Sequence, residues 1–197
     1  MLLKDRLQNY RLILASASPR RRELLAACDI NFTLADKFEC EEHYPADLEA
    51  DKVAEYLSQL KSNAYPHALA EEDILLTADT VVVLGNKILG KPHSEAEAVE
   101  MLTSLSGATH KVITGVTLRT RTRTISFSAE SLVSFRSLEA DEIRYYVEHY
   151  RPMDKAGAYG IQEWIGYTAI ERIEGSFYNV MGLPVQRLYS MLKGLVK

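Results

Sequence analysis

Cysteine is scarce in this chain, with Cys28 and Cys40 the two among 197 residues. Their separation matches no metal-ligand or redox spacing and supports no disulfide framework. The histidines, His43, His67, His93, His110 and His149, show no metal-ligand spacing either. No run approaches the roughly 18 apolar residues of a membrane span. Met1 to Tyr10 carries Lys4, Asp5 and Arg6 and lacks the apolar core of a signal peptide, so the expected location is cytoplasmic. Basic residues do not dominate: 23 Lys and Arg against 27 Asp and Glu give a net charge of -4. That balance argues against general nucleic-acid binding but allows a small anion in a local basic pocket. The glycines form neither the dinucleotide-binding fingerprint nor the P-loop. No nucleophile–base pair, internal repeat or low-complexity segment stands out.

What remains is an ordinary globular composition, 47% hydrophobic and 25% charged, long enough for one sizeable core. We therefore read 1–197 as a single domain, in one piece or as two closely packed lobes. Leu12 to Ala15 reads as a buried strand that ends in the small turn Ser16-Ala17-Ser18. A helix follows, with Ser18 placed as N-cap, Pro19 at the first helical position and Arg20, Arg21 and Arg22 next. A helix N-terminus is already partly positive, so three cations there are unfavourable unless an anion joins them. At about 100° per residue, Leu24, Leu25 and Cys28 define the apolar stripe. Arg21 falls near its centre and Arg20 about a quarter-turn away, which marks both as ligand residues; Arg22 reads as solvated. The alternative is a plain basic helix start on a wet turn.

Further along, Ile30 to Leu34 reads as a strand and Asp47 as the cap of a helix running to about Ala64. Ile74 to Leu84 is an apolar strand with a polar centre, turning at Gly85-Asn86 into Ile88-Leu89. Ser94 caps a helix burying Ala98, Val99, Leu102 and Leu105. His110 to Thr120 and Thr124 to Phe135 read as a hairpin, Glu139 to His149 as a helix, Ala169 to Ile173 as a strand and Pro184 as the start of a terminal helix. Strands and helices mix without strict alternation, which points to a mixed α/β sheet flanked by helices.

Asp79 is the clearest chemical residue, because an ionised carboxylate inside an apolar strand needs a cation or a metal. Thr80 adds a hydroxyl beside it. Lys91 lies just past the hairpin and returns toward Asp79 if that hairpin closes. Lys61 continues the Leu57 and Leu60 stripe. The acidic run Glu39, Glu41 and Glu42 is either a solvated loop or part of a metal–polyphosphate site, where carboxylates take the ion and cations hold phosphate. Met153 to Gln162 is rich in small residues that allow close backbone approach, and Gln162 offers donors and an acceptor to a base edge. In Gly175 to Pro184, Phe177 and Tyr178 read as packing residues.

These segments together resemble the Maf family, nucleoside triphosphate pyrophosphatases historically described as septum formation inhibitors. The resemblance rests on Leu14 to Arg21, Ala78-Asp79-Thr80, Gly90-Lys91-Pro92, Leu105-Ser106-Gly107 with His110, Asp154 to Gln162 and Gly175 to Pro184. It departs at Ala17, where most members have glycine. The resemblance implies an elongated, twisted mixed sheet in two lobes around a nucleotide-binding cleft, and the chain is expected to form a homodimer. It implies hydrolysis of a nucleoside triphosphate to the monophosphate and pyrophosphate with a divalent cation, Mg²⁺ or Mn²⁺. Asp79 then takes the proton of the attacking water and holds the metal, with Glu42 assisting. Ser16, Arg20, Arg21, Lys61 and Lys91 line the phosphate site, and Arg20, Thr80 and Gln162 bear on base selection. The form of the two C-terminal blocks resembles the branch acting on dTTP and UTP. The alternatives are the 7-methyl-GTP branch and a non-catalytic nucleotide sensor in cell division.

Overall fold

The apolar runs become strands and the periodic segments helices. The computed structural model describes residues 1–196. In chain order it contains α1 (Leu3–Arg6), β1 (Arg11–Leu14), α2 (Pro19–Ala27), β2 (Thr33–Leu34), α3 (Ala50–Ala64), β3 (Asp73–Leu84), β4 (Lys87–Leu89) and α4 (Glu95–Leu105). Then come β5 (Thr109–Arg119), β6 (Thr124–Phe135), α5 (Ala140–Tyr150), α6 (Trp164–Ala169), β7 (Ile170–Glu174), α7 (Phe177–Val180) and α8 (Val185–Leu195). The strands form one mixed sheet in the order β2-β1-β3-β5-β6-β7, with β4 paired to β3. β1 is parallel to β2 and β3, whereas β4 and β7 are antiparallel to β3 and β6. This is the mixed α/β sheet that the sequence pattern implies.

The chain divides into two compact units. The first comprises 1–79, 114–129 and the chain from Gly182 on; the second comprises 80–113 and 130–181. In the first, α3 lies against the strands on Val53, Ala54, Leu57 and Ser58, all buried. Thr77 Oγ1 donates to the Ser58 carbonyl at 2.7 Å, and Ser58 and Thr117 share a hydroxyl–hydroxyl bond of 2.8 Å. Gly115 permits this approach, since a Cβ there would meet the Ala54 backbone at 2.2 Å.

The second unit has its own core, in which Leu102, Leu105, Val133, Phe135, Tyr146, Tyr159 and Ile165 are buried together. His110, 1% exposed, packs edge-on against Phe135 and Tyr159, with its Nε2 2.8 Å from the Tyr159 hydroxyl. Burial lowers its pKa to about 4. The unfolded chain's imidazole binds a proton near 6.5, so between those values the unfolded state holds more protons and stability falls as pH falls. The expected loss is about 3 kcal/mol on acidification from pH 7 to 4. Urea midpoints from pH 7 to 4 measure it, and His110→Gln should flatten that stretch; an unchanged slope in the variant would refute the assignment.

Several local expectations are corrected by tertiary bonding. The Ile30 N–H returns to the Leu25 carbonyl and Asp29 takes φ 55°, so Ile30 closes α2 and β2 is only Thr33–Leu34. Asp47 lies inside the turn bonded from Leu48 N–H to the Pro45 carbonyl, so α3 begins after Glu49. Ala169 ends α6, so the strand expected from Ala169 to Ile173 runs instead over Ile170–Glu174, and Gly166 lets α6 pass the Ile161 carbonyl, which a Cβ there would meet at 1.9 Å. Ser94 caps α4 as its position predicts, accepting the Glu97 N–H at 3.1 Å.

Candidate active site

The turn after β1 is held before any ligand is considered. The Ala15 N–H donates to the Leu76 carbonyl at 2.9 Å, and Ser18 N–H reaches Ser16 Oγ at 3.3 Å. Ser18 is the N-cap of α2 by position, but its hydroxyl makes no capping bond. Pro19 follows at the first helical position, as its fixed φ favours.

Arg21 does face inward and is 9% exposed. Its Nε donates to the Gly182 carbonyl at 2.8 Å, and one terminal nitrogen reaches Ser16 Oγ at 3.0 Å and the Ala78 carbonyl at 2.9 Å. The inward arginine therefore ties α2, β3 and the approach to α8 together. Burial lowers its pKa, the charges of Asp79 and Glu42 oppose that, and Arg20 adds to it. All three charges therefore act on the Arg21 guanidinium. Arg20 is half-buried. Arg22, read from the wheel as solvated, is also half-buried: its Nε is enclosed with no hydrogen-bond partner, and its terminal nitrogen makes only a 3.4 Å contact to the Ala17 carbonyl.

Asp79 follows Ala78 on β3 and is 9% exposed. Its counter-ion comes from α3, not from the hairpin that would supply Lys91. Lys61 Nζ lies 2.5 Å from Asp79 Oδ1 and 3.0 Å from Glu42 Oε2. Glu42 is the member of the acidic run that reaches Lys61. Glu41 instead makes a 3.9 Å contact with His43, both well exposed. The nearby Cys40 thiol is pushed up first by burial and then by Glu42, which argues against a thiolate there. Six of the candidate residues, Ser16, Arg20, Arg21, Glu42, Lys61 and Asp79, therefore belong to one cluster in the first unit.

Thr80, Lys91 and Gln162 belong to the second unit. Lys91 is exposed, next to Gly90, whose carbonyl accepts the Gly157 N–H at 3.0 Å. Gln162 is exposed on a tightly held loop. Within that loop Lys155 pairs with Asp154 at 2.7 Å and Glu163 at 2.9 Å, and Glu163 accepts the Tyr146 hydroxyl. Tyr146 in turn accepts the Gly160 N–H at 3.0 Å. Residue types alone gave this network no role, although the small residues at 156–160 signal close packing. Gln162 borders an open cavity of about 610 Å³ shared with Ile161, Gly166, Tyr167, Ile170 and Phe177. Phe177 and Tyr178 are 43% and 50% exposed, which corrects their reading as packing residues.

The donor set decides what ion could be held here. Among the described residues no group of three or more His, Cys, Asp and Glu could cage a metal. Asp79 and Glu42 nevertheless converge on one cation, the Lys61 ammonium. Two carboxylates, completed by phosphate oxygens and water, suit Mg²⁺ or Mn²⁺ bound with its substrate. Among the described residues, no helix is long and apolar enough to cross a membrane.

Comparison with known proteins gives the family. A dTTP/UTP pyrophosphatase from Porphyromonas gingivalis is 53% identical over 96% of this chain and 96% of the relative. One from Bacteroides thetaiotaomicron is 51% identical over 96% of this chain and 98% of its own length. A third, from Flavobacterium johnsoniae, is 45% identical over 99% of this chain and the whole of the relative. Residues 11–195 match the family described as Maf-like protein, and this chain belongs to that family.

Proposed function

We propose that this protein hydrolyses dTTP and UTP to the monophosphate and pyrophosphate. The observation that carries the reading is Asp79: a nearly buried carboxylate held by Lys61 and within electrostatic reach of Arg21. A site that held triphosphate through cations alone would be opposed by a carboxylate among them. The relatives named dTTP/UTP pyrophosphatase support the substrate class.

Release of pyrophosphate requires water to attack the α-phosphorus. Asp79 accepts that water's proton, since a carboxylate retains acceptor positions beside its bond to one ammonium. Arg20 and Lys61 balance the negative charge that builds on the departing pyrophosphate. Arg21 holds Ser16 and the Ala78 carbonyl in place, which fixes the strand end that carries Asp79. Asp79 and Glu42 would hold a divalent cation, which would polarise the phosphate and acidify the attacking water. Base selection falls to Gln162, whose side-chain amide offers both donors and an acceptor.

Pyrophosphate release measured across dTTP, UTP, CTP, ATP, GTP and 7-methyl-GTP with Mg²⁺ tests this directly. Release from dTTP and UTP is expected; release from none of them would leave the nucleotide-sensing alternative. Gln162→Ala should narrow the preference for dTTP over CTP by about tenfold, the worth of one hydrogen bond to the base. An unchanged ratio would remove Gln162 from base selection.

A further inference from the structure

The Lys61 ammonium stands between two carboxylates. Its Nζ touches both Asp79 and Glu42, at 2.5 and 3.0 Å, and its side chain is only 18% exposed. Two carboxylates closing on one point repel each other unless positive charge lies between them. The helix that delivers this ammonium is firmly seated. Ser58, three residues back, is bonded to Thr117 and Thr77, and Gly115 lets the helix backbone sit against β5. Lys61 is therefore placed by the packing of α3 and is not a long side chain wandering over a surface.

We propose that Lys61 is the resident counter-ion of the metal carboxylates. It neutralises Asp79 and Glu42 in the metal-free protein, gives up that position to the divalent cation and turns its ammonium to the substrate phosphate. An ammonium and a divalent cation cannot share one pair of carboxylates, because like charges at contact distance repel strongly. Metal binding must therefore displace Lys61, and displacement frees the cation that the phosphate needs. The inference rests on the reading of Asp79 and Glu42 as metal carboxylates. It adds that lysine and metal exclude each other.

A lysine serving phosphate alone would leave the affinity for free metal unchanged. A lysine needed to assemble the carboxylates would weaken that affinity when removed. Competition makes the opposite forecast. Titration calorimetry of Mn²⁺ alone, without nucleotide, into wild type and Lys61→Met should show at least tenfold tighter binding in the variant. Equal or weaker binding would overturn the proposal. If Lys61→Met and Lys61→Gln fail to fold, acylation of Lys61 in the wild-type protein decides, read by peptide mass spectrometry. Mn²⁺ should accelerate that labelling at least threefold as the ammonium leaves its carboxylates, and an equal or slower rate would overturn the proposal. The functional reading fails separately, if wild type releases no pyrophosphate from any triphosphate.

Discussion

Asp79→Asn is expected to lower pyrophosphate release by about a thousandfold while the protein stays folded, in line with the range for removing a general base. Asparagine keeps the shape and an oxygen able to accept from Lys61, but it has neither the charge nor the basicity to take a proton from water. Lys61 retains Glu42 at 3.0 Å, so the ammonium is not left alone in the unit. Melting should therefore shift little beside the change in rate. Steady-state rates on dTTP with Mg²⁺, together with a thermal melt, check both halves of the expectation. A fully active variant would end the role of Asp79 as proton acceptor, and a collapsed melt would show that its pairing is structural.

Arg21→Met should have the opposite signature, a large loss of stability. The buried guanidinium satisfies two backbone carbonyls, Ala78 and Gly182, and the Ser16 hydroxyl. Each buried acceptor left without its donor costs about 1–3 kcal/mol. A total loss of about 3 kcal/mol or more follows, or roughly 6–12 °C in melting temperature for a chain of this size. Arg20→Met is the matched control. Its side chain is half-buried, so the expected effect is a raised KM for the triphosphate with a small change in melting. Equal destabilisation by the two variants would contradict the division of labour between neighbouring arginines.

That division shows how far residue patterns reach. The wheel placed Arg21 inward because α2 turns about 100° per residue, and the structure buries it there. The wheel had no means of showing which acceptors wait inside. Gly182 is distant in sequence, and its carbonyl becomes a partner only through tertiary packing. Arg22 failed as a solvated residue because neighbouring chain encloses its Nε, which helix geometry alone does not reveal. The hairpin after Asp79 suggested only that Lys91 returns toward that end of the sheet, whereas the cation paired with Asp79 is Lys61 of α3. Local turn geometry knows nothing of a helix docked through Gly115.

Sequence by itself determined the class of fold, the apolar strands, the cap at Ser94 and the suspicion that Asp79 is chemical. These rest on periodicity, on N-cap chemistry and on the cost of an isolated charge in an apolar run, all properties of short stretches. Only the tertiary structure decided that Lys61 bridges Asp79 and Glu42, that Arg21 is bonded to backbone and that Phe177 is exposed beside the cavity of Gln162. The physical reason is distance along the chain: an ion pair or a buried hydrogen bond needs atoms within about 3 Å, and for residues far apart in sequence only packing of the whole unit brings them there.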